Sequence, residues 1–186
     1  MLSETNFSRF LSAEIDEQNC FGFLQLADHL RLSRLRERSL KYALENFEKV
    51  IQGEEYLQLP VRLVVSFLKD NRLVAKREEQ VYNAAVKWLE FSGLKMFFRN
   101  IFFSSKKKNL CRLKKSINHF LVDERKQESS QVLDAVRLGR LATRFLIEEV
   151  EKNELFTDEL SKSYINRAKV SCYKNPKIRL TFFDNV

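Results

Sequence analysis

The chain has 186 residues, 44% of them hydrophobic, with 33 Lys and Arg against 25 Asp and Glu and a formal net charge of +8. That hydrophobic share excludes a disordered chain, and the length suits one domain. Four glycines and two prolines are too few for the frequent turns of a β-sandwich or barrel, so long helices are favoured. No apolar run reaches the ~18 residues of a membrane span, and three widely spaced cysteines do not indicate a disulfide framework.

Helical periodicity begins close to the N-terminus. Asp16 or Asn19 is placed to cap a helix whose apolar stripe continues to Leu30. A second helix is predicted from Leu32 to Val50, with most of its charged residues on the opposite face. Two adjacent helices with a short connection indicate an antiparallel hairpin.

Further helices are predicted downstream. Pro60 suits the first turn of a helix, and Glu78 and Glu79 suit the first turn of the next, where carboxylates complement the helix dipole. That helix places Trp88 on its core face, and Gly139 is placed to end a later helix. We predict an all-α fold, an array of antiparallel helical hairpins with about seven or eight helices, interrupted by one long basic insertion.

The positive charge is concentrated in one segment. Residues 94–130 contain ten Lys and Arg but three Asp and Glu, which accounts for most of the net charge. Phenylalanines are interleaved with the cations there, without a sustained helical or alternating period. The candidate basic patch consists of Lys106, Lys107, Lys108, Lys114 and Lys115.

Three interpretations of this segment stay open. It is a flexible insertion, a basic and aromatic surface for nucleic acid or acidic lipid, or non-native sequence such as a translated intron. The residue types encoded by A/T-rich codons, Phe, Lys, Asn and Ile, favour the last. An alternative function is therefore binding of nucleic acid or an acidic surface through residues 95–115, which would weaken steeply with salt. The lysine clusters also resemble a nuclear import signal.

Catalytic and cofactor motifs are not found. The two histidines, His29 and His119, lie far apart, no Cys/His spacing fits zinc, and four scattered glycines cannot form a phosphate loop. Cys20 lies in an apolar stripe, where a buried structural role is favoured over a nucleophile. We therefore predict a protein that is not an enzyme and has no cofactor or metal.

Several motifs occur in the order found in one family. They are Asn19–Asp28 (NCFGFLQLAD), Glu54–Pro60 (EEYLQLP), Glu78–Trp88 (EEQVYNAAVKW), Val136–Leu138 (VRL) and Leu146–Glu151. Together they resemble the BACK domain of the BTB–BACK–Kelch proteins over roughly residues 10–92 and 123–170. The resemblance implies a fragment without the BTB domain and Kelch repeats. The 37 positions from Trp88 to Arg125 exceed the family's short gap there, which implies an insertion of about 30 residues.

The resemblance implies a non-catalytic helical scaffold in a substrate adaptor of a cullin-RING ubiquitin ligase. Its partners would be a cullin and the neighbouring BTB and Kelch domains, with neither nucleic acid nor membrane among them, in the cytoplasm or the nucleus. The first helical pair would line a groove for the N-terminal segment of the cullin. By that analogy Cys20, Phe21, Leu24 and Gln25 face the partner, although Leu24 is alternatively a core residue.

The predicted core takes residues from all the helical stretches. It comprises Leu26, Ala27, Leu30, Leu35, Phe47, Leu59, Val81, Ala85, Trp88, Val136, Leu138 and Leu146. The predicted organisation is a BTB-like closing helix at 1–15, a first BACK-like part at 16–92, the basic aromatic insertion at 93–122, a second BACK-like part at 123–170 and a tail at 171–186.

Overall fold

The computed structural model describes residues 4–91 and 125–174, and these ranges contain helices and no strand. This confirms the all-α prediction. Within them no helix is long and apolar enough to cross a membrane. The helices are α1 (Glu4–Ala13), α2 (Cys20–Leu30), α3 (Ser33–Glu45), α4 (Phe47–Val50), α5 (Glu54–Leu57), α6 (Val61–Lys69), α7 (Glu78–Glu90), α8 (Ser129–Ala135), α9 (Thr143–Phe145, continued by a π-helical turn over Leu146–Val150) and α10 (Glu159–Lys174).

The chain divides into two compact units, Met1–Lys76 and Arg77–Val186. The length predicts one domain, and no boundary between Lys76 and Arg77 is predicted from the sequence. One predicted helix is also divided. The helix expected from Leu32 to Val50 is broken at Asn46 into α3 and α4.

In the first unit, α2 and α3 form the predicted hairpin. The chain turns into α2 through paired side-chain bonds: Asp16 Oδ1 accepts the Asn19 N–H at 2.9 Å, and Asn19 Oδ1 accepts the Asp16 N–H at 2.9 Å. At the other end, Arg31 has a left-handed backbone (φ 56°), and the Leu32 N–H bonds to the Ala27 carbonyl. The turn formed by Arg31 and Leu32 reverses the chain, and α3 begins directly after it at Ser33.

Four aromatic side chains form the core of this unit. Phe67 on α6 lies at the centre: its ring centroid is 5.2 Å from Phe21, nearly perpendicular, 5.9 Å from Phe47 and 6.3 Å from Tyr56. All four residues are at most 1% exposed. Because they come from α2, α4, α5 and α6, this cluster ties the hairpin to the helices that follow.

A carboxylate from α5 caps the N-terminal turn of α2. Glu55 Oε2 accepts the Gly22 backbone N–H at 3.0 Å. A Cβ atom at Gly22 would lie 2.7 Å from Glu55 Oε1, so the missing side chain gives the carboxylate its close approach. The negative charge also lies at the positive end of the helix dipole.

Glu55→Ala should therefore lower the free energy of unfolding by about 1 kcal/mol, the usual effect of losing a helix cap. The neighbouring Glu54 is exposed, so Glu54→Ala should change stability by less than about 0.5 kcal/mol. Urea denaturation followed by circular dichroism compares the two variants. Equal effects would contradict the capping role of Glu55.

In the second unit, the N-terminus of α7 anchors the loop that follows α8. Glu78 Oε1 accepts the Arg137 backbone N–H at 2.9 Å, and Glu79 Oε1 accepts the Ala142 N–H at 3.5 Å. Burial disfavours ionisation of Glu79, but the N–H groups of Glu79 and Ala142 and the Arg77 guanidinium together lower its pKa. The predicted acidic first turn therefore has a second role in tertiary structure.

At the C-terminal end of α7, Arg125 covers Trp88. The guanidinium carbon lies 4.0 Å from the indole centroid, and Nη1 donates to the Trp88 carbonyl at 2.8 Å. The indole is 1% exposed. A cation at this position also complements the negative end of the helix dipole. Residues 37 positions apart in the sequence are thus in direct contact.

Asp158 caps α10, the longest helix among the described residues of the second unit. Its Oδ1 accepts the Ser161 N–H at 2.8 Å, and its Oδ2 accepts the Ser129 hydroxyl at 3.4 Å. Burial works against ionisation, yet the bonds from Ser161 and Ser129 lower the pKa of Asp158 below its ordinary value. The helix start is therefore joined to α8 by one carboxylate.

Asp158→Ala should lower the free energy of unfolding by about 1 kcal/mol at pH 6. Because the pKa is lowered in the folded state, this stabilisation is complete above about pH 4, the ordinary range of aspartate, and is lost as the pH falls through the folded-state pKa. The difference between wild type and variant should therefore shrink toward pH 2. Denaturation series at several pH values test this, and a constant difference would contradict it.

Most of the predicted core is buried, with two exceptions. Leu26 and Leu30 are 37% and 46% exposed, so their assignment to the core is wrong. They lie beside the stripe of Cys20, Leu24 and Ala27, which faces inward, and not on it. The other predicted residues are at most 6% exposed: Ala27, Leu35, Phe47, Leu59, Val81, Ala85, Trp88, Val136, Leu138 and Leu146.

Candidate functional site

The predicted partner-facing residues of α2 point in different directions. Cys20, Phe21 and Leu24 are 0%, 1% and 2% exposed, whereas Gln25 is exposed. The prediction that the first three contact a partner is therefore wrong. Their spacing of one and three residues places them on the apolar stripe of the helix. The hydrophobic effect buries this stripe inside the unit.

The Cys20 thiol is a poor nucleophile in this position. Burial raises the pKa of its thiol to about 12, and the negative charge of Glu55 acts in the same direction. The thiolate is the nucleophilic form of cysteine, and it is scarce at neutral pH when the pKa is this high. The structure therefore favours the packing role of Cys20.

The outer face of α2, defined here by Gln25, Leu26, His29 and Leu30, is exposed. Its two leucines are four residues apart and therefore neighbours on the helix surface. Apolar side chains at this spacing are the anchors through which helices and peptides bind one another. Among the described residues, this face combines exposed apolar side chains with a flanking amide and imidazole.

Ion pairs hold α2 in place and so position its outer face. The Asp28 carboxylate lies 2.6 Å from Arg36 Nε of α3 and 3.8 Å from Arg62 Nη2 of α6. The pair with Arg36 is partly shielded, because the Asp28 side chain is 25% exposed. Together with the capping by Glu55, these contacts fix α2 against three other helices.

Comparison with known families identifies this region. Residues 20–98 match the family model described as BACK, BTB And C-terminal Kelch. The match begins at the first residue of α2 and covers the outer face together with the helices α2–α7. It confirms the resemblance for the first group of motifs, while that of Val136–Leu138 and Leu146–Glu151 stays a prediction.

The acidic pairs of the BACK sequence have structural partners. Glu55 caps α2, while Glu78 and Glu79 bind backbone N–H groups of the second unit. Glu54 is exposed at the start of α5. In the described part of the chain, no three His, Cys, Asp or Glu side chains are grouped to hold a metal ion.

The candidate basic patch is not placed by the structure. Lys106, Lys107, Lys108, Lys114 and Lys115 lie outside the described residues. The candidate site among the described residues is thus the outer face of α2, which lies within the matched residues 20–98. The partner residues predicted from the sequence lie on α2, where three of the four are buried and Gln25 is exposed. The exposed side is marked in the sequence by a second pair of apolar residues, Leu26 and Leu30, which are four residues apart and lie beside the stripe that fills the core.

Proposed function

We propose that this protein is a non-catalytic helical scaffold in a substrate adaptor of a cullin-RING ubiquitin ligase, and that the outer face of α2 binds the N-terminal segment of the cullin. The BACK family supports the coarser part of this proposal, since it is a helical interaction module of BTB–Kelch adaptors. One observation carries the finer part: Leu26 and Leu30 are exposed on the helix that opens the BACK match.

The chemistry of the described residues is consistent with binding rather than catalysis. The buried thiol of Cys20 is held protonated, and the paired carboxylates at residues 78 and 79 accept backbone hydrogen bonds. An apolar pair on a helix fixed at both ends offers a rigid surface, which lowers the entropic cost of association. We place this activity in the cytoplasm or nucleus, where a ubiquitin ligase adaptor acts.

Calorimetry tests the proposal with the full chain and a cullin N-terminal fragment. The double variant Leu26→Glu, Leu30→Glu places two charges on the outer face of α2 and should weaken binding at least tenfold. The control is Leu160→Glu in the second unit, because Leu160 is 61% exposed on α10. Circular dichroism shows whether each variant keeps its helical fold.

Binding that is lost only in the double variant supports the proposal. It is overturned if the intact, helical chain does not bind the fragment, or if the double variant and the Leu160→Glu control bind equally well.

A further inference from the structure

We propose that a basic row on α3, defined as Arg31, Arg34, Arg38 and Lys41, binds an acidic helical segment of a partner protein. This row is separate from the outer face of α2. All four side chains are exposed. The proposal rests on the arrangement of these charges, the absence of neutralising carboxylates beside the three arginines within the described residues, and one unusual backbone conformation.

Three members of the row share the solvent-facing side of α3. Arg34, Arg38 and Lys41 follow one another at intervals of four and three residues, so their side chains project from one face. With a rise of 1.5 Å per residue, they extend over about 10 Å of the helix. Arg31 stands just before the helix and lengthens the row at its N-terminal end.

In the part of the chain that the structure describes, the arginines of the row have no neutralising carboxylate. Among the described residues, no carboxylate lies within 4.0 Å of Arg31, Arg34 or Arg38, and the one near Lys41 is Glu45 at 3.8 Å. Other cations of the same unit do have such partners: Arg36 binds Asp28, and Lys76 binds Glu48 at 3.0 Å. Like charges four residues apart on a helix repel, so the Arg34–Arg38 pair opposes the stability of α3, while Glu37 and Glu45 beside Lys41 offset part of this repulsion.

The conformation of Arg31 is a second, independent observation. It is the one non-glycine residue with a positive φ among the described residues, at 56°. Glycine adopts this conformation without steric cost and is the usual residue after a helix. An arginine here retains a guanidinium at the expense of backbone strain, which indicates a use for that charge.

The charge balance favours a protein partner over nucleic acid. The first unit, residues 1–76, contains eleven Lys and Arg and eleven Asp and Glu. A neutral unit lacks the broad positive field that attracts a polyanion, whereas guanidinium groups pair with carboxylates at short range. Carboxylates three and four residues apart on a helix match the spacing of the row.

Fluorescence anisotropy tests the proposal with the full chain and a labelled helical peptide that carries glutamates at i, i+4 and i+7. Arg34→Glu with Arg38→Glu should weaken binding at least tenfold. The control, Lys49→Glu with Lys152→Glu, makes the same change in net charge at two exposed lysines outside the row, and should stay within twofold. A twelve-nucleotide single strand is the second probe.

The lysines of residues 95–115 offer the peptide a second basic region. The row variant and the control variant are therefore also measured in a chain in which five of these lysines are changed to glutamine. These are Lys106, Lys107, Lys108, Lys114 and Lys115. The row variants should lose binding in both backgrounds. The proposal is overturned if the glutamine changes alone abolish binding, if the control weakens it equally, or if the oligonucleotide binds more tightly than the peptide and loses binding through the row variants.

Arg31→Gly separates binding from stability. The proposal expects severalfold weaker peptide binding together with a melting temperature that is unchanged or higher, because glycine relieves the strain at this position. If Arg31 only stabilises the end of α2, the variant instead melts at a lower temperature and binds the peptide as the wild type does, and this result removes Arg31 from the row.

Discussion

Replacing Trp88 by alanine should lower the free energy of unfolding by about 3–5 kcal/mol, the range for truncation of a large buried aromatic residue. The indole is 1% exposed and lies under the Arg125 guanidinium at 4.0 Å. The variant leaves a cavity on α7 and removes this cation–π contact. The effect should therefore be among the largest of any single substitution in the second unit.

Urea denaturation followed by circular dichroism measures this effect, since Trp88 is the sole tryptophan and fluorescence is lost with it. Leu160→Ala is the control in the same unit, because that side chain is 61% exposed and its loss should change stability by less than about 0.5 kcal/mol. An unchanged unfolding midpoint for Trp88→Ala would refute the core position of the indole.

Phe67→Ala should have a comparable effect in the first unit, also about 3–5 kcal/mol. Its ring contacts Phe21, Phe47 and Tyr56, so one truncation removes three aromatic contacts from the centre of the cluster. The side chain is 1% exposed, and the helices around it have little freedom to close the cavity.

A matched phenylalanine provides the control for this prediction. Phe10 on α1 is 65% exposed, so Phe10→Ala should leave the unfolding midpoint nearly unchanged. The two variants make the same chemical change and differ mainly in burial. Similar midpoints for both would show that Phe67 does not form the core described above.

The helical class and much of the core follow from the sequence because they depend on local periodicity. Apolar residues repeated at intervals of three and four residues mark the buried side of a helix, and the alanines and tryptophan of α7 are buried as this pattern predicts. Scarce glycine and proline likewise exclude architectures rich in turns.

The candidate site was predicted less well. A helix that carries two sets of apolar residues at intervals of three or four has two possible inward faces. On α2, Leu24 and Leu26 belong to different spacings, and only the tertiary packing decides that Leu24 is buried while Leu26 is exposed. Three of the four partner residues implied by the resemblance therefore lie on the buried stripe, and Gln25 is exposed. The exposed side became evident once the neighbours of α2 were known.

Long-range pairings also could not be predicted from local patterns. The contact between Glu55 and Gly22 joins residues 33 positions apart, and that between Arg125 and Trp88 joins residues 37 positions apart. The acidic pairs of the sequence suggest helix starts, which is correct for α5 and α7, but they do not indicate which backbone N–H groups the carboxylates accept. Such bonds depend on how helices pack.

Hydrogen exchange, measured with and without the cullin N-terminal fragment, shows directly whether α2 takes part in binding. If the BACK sequence forms an interaction scaffold through α2, binding should slow amide exchange in residues 20–45, which comprise α2 and α3. Peptides from α10, in the second unit, should exchange at the same rate in both samples. Unchanged exchange throughout, or protection that appears only outside α2 and α3, would contradict the account.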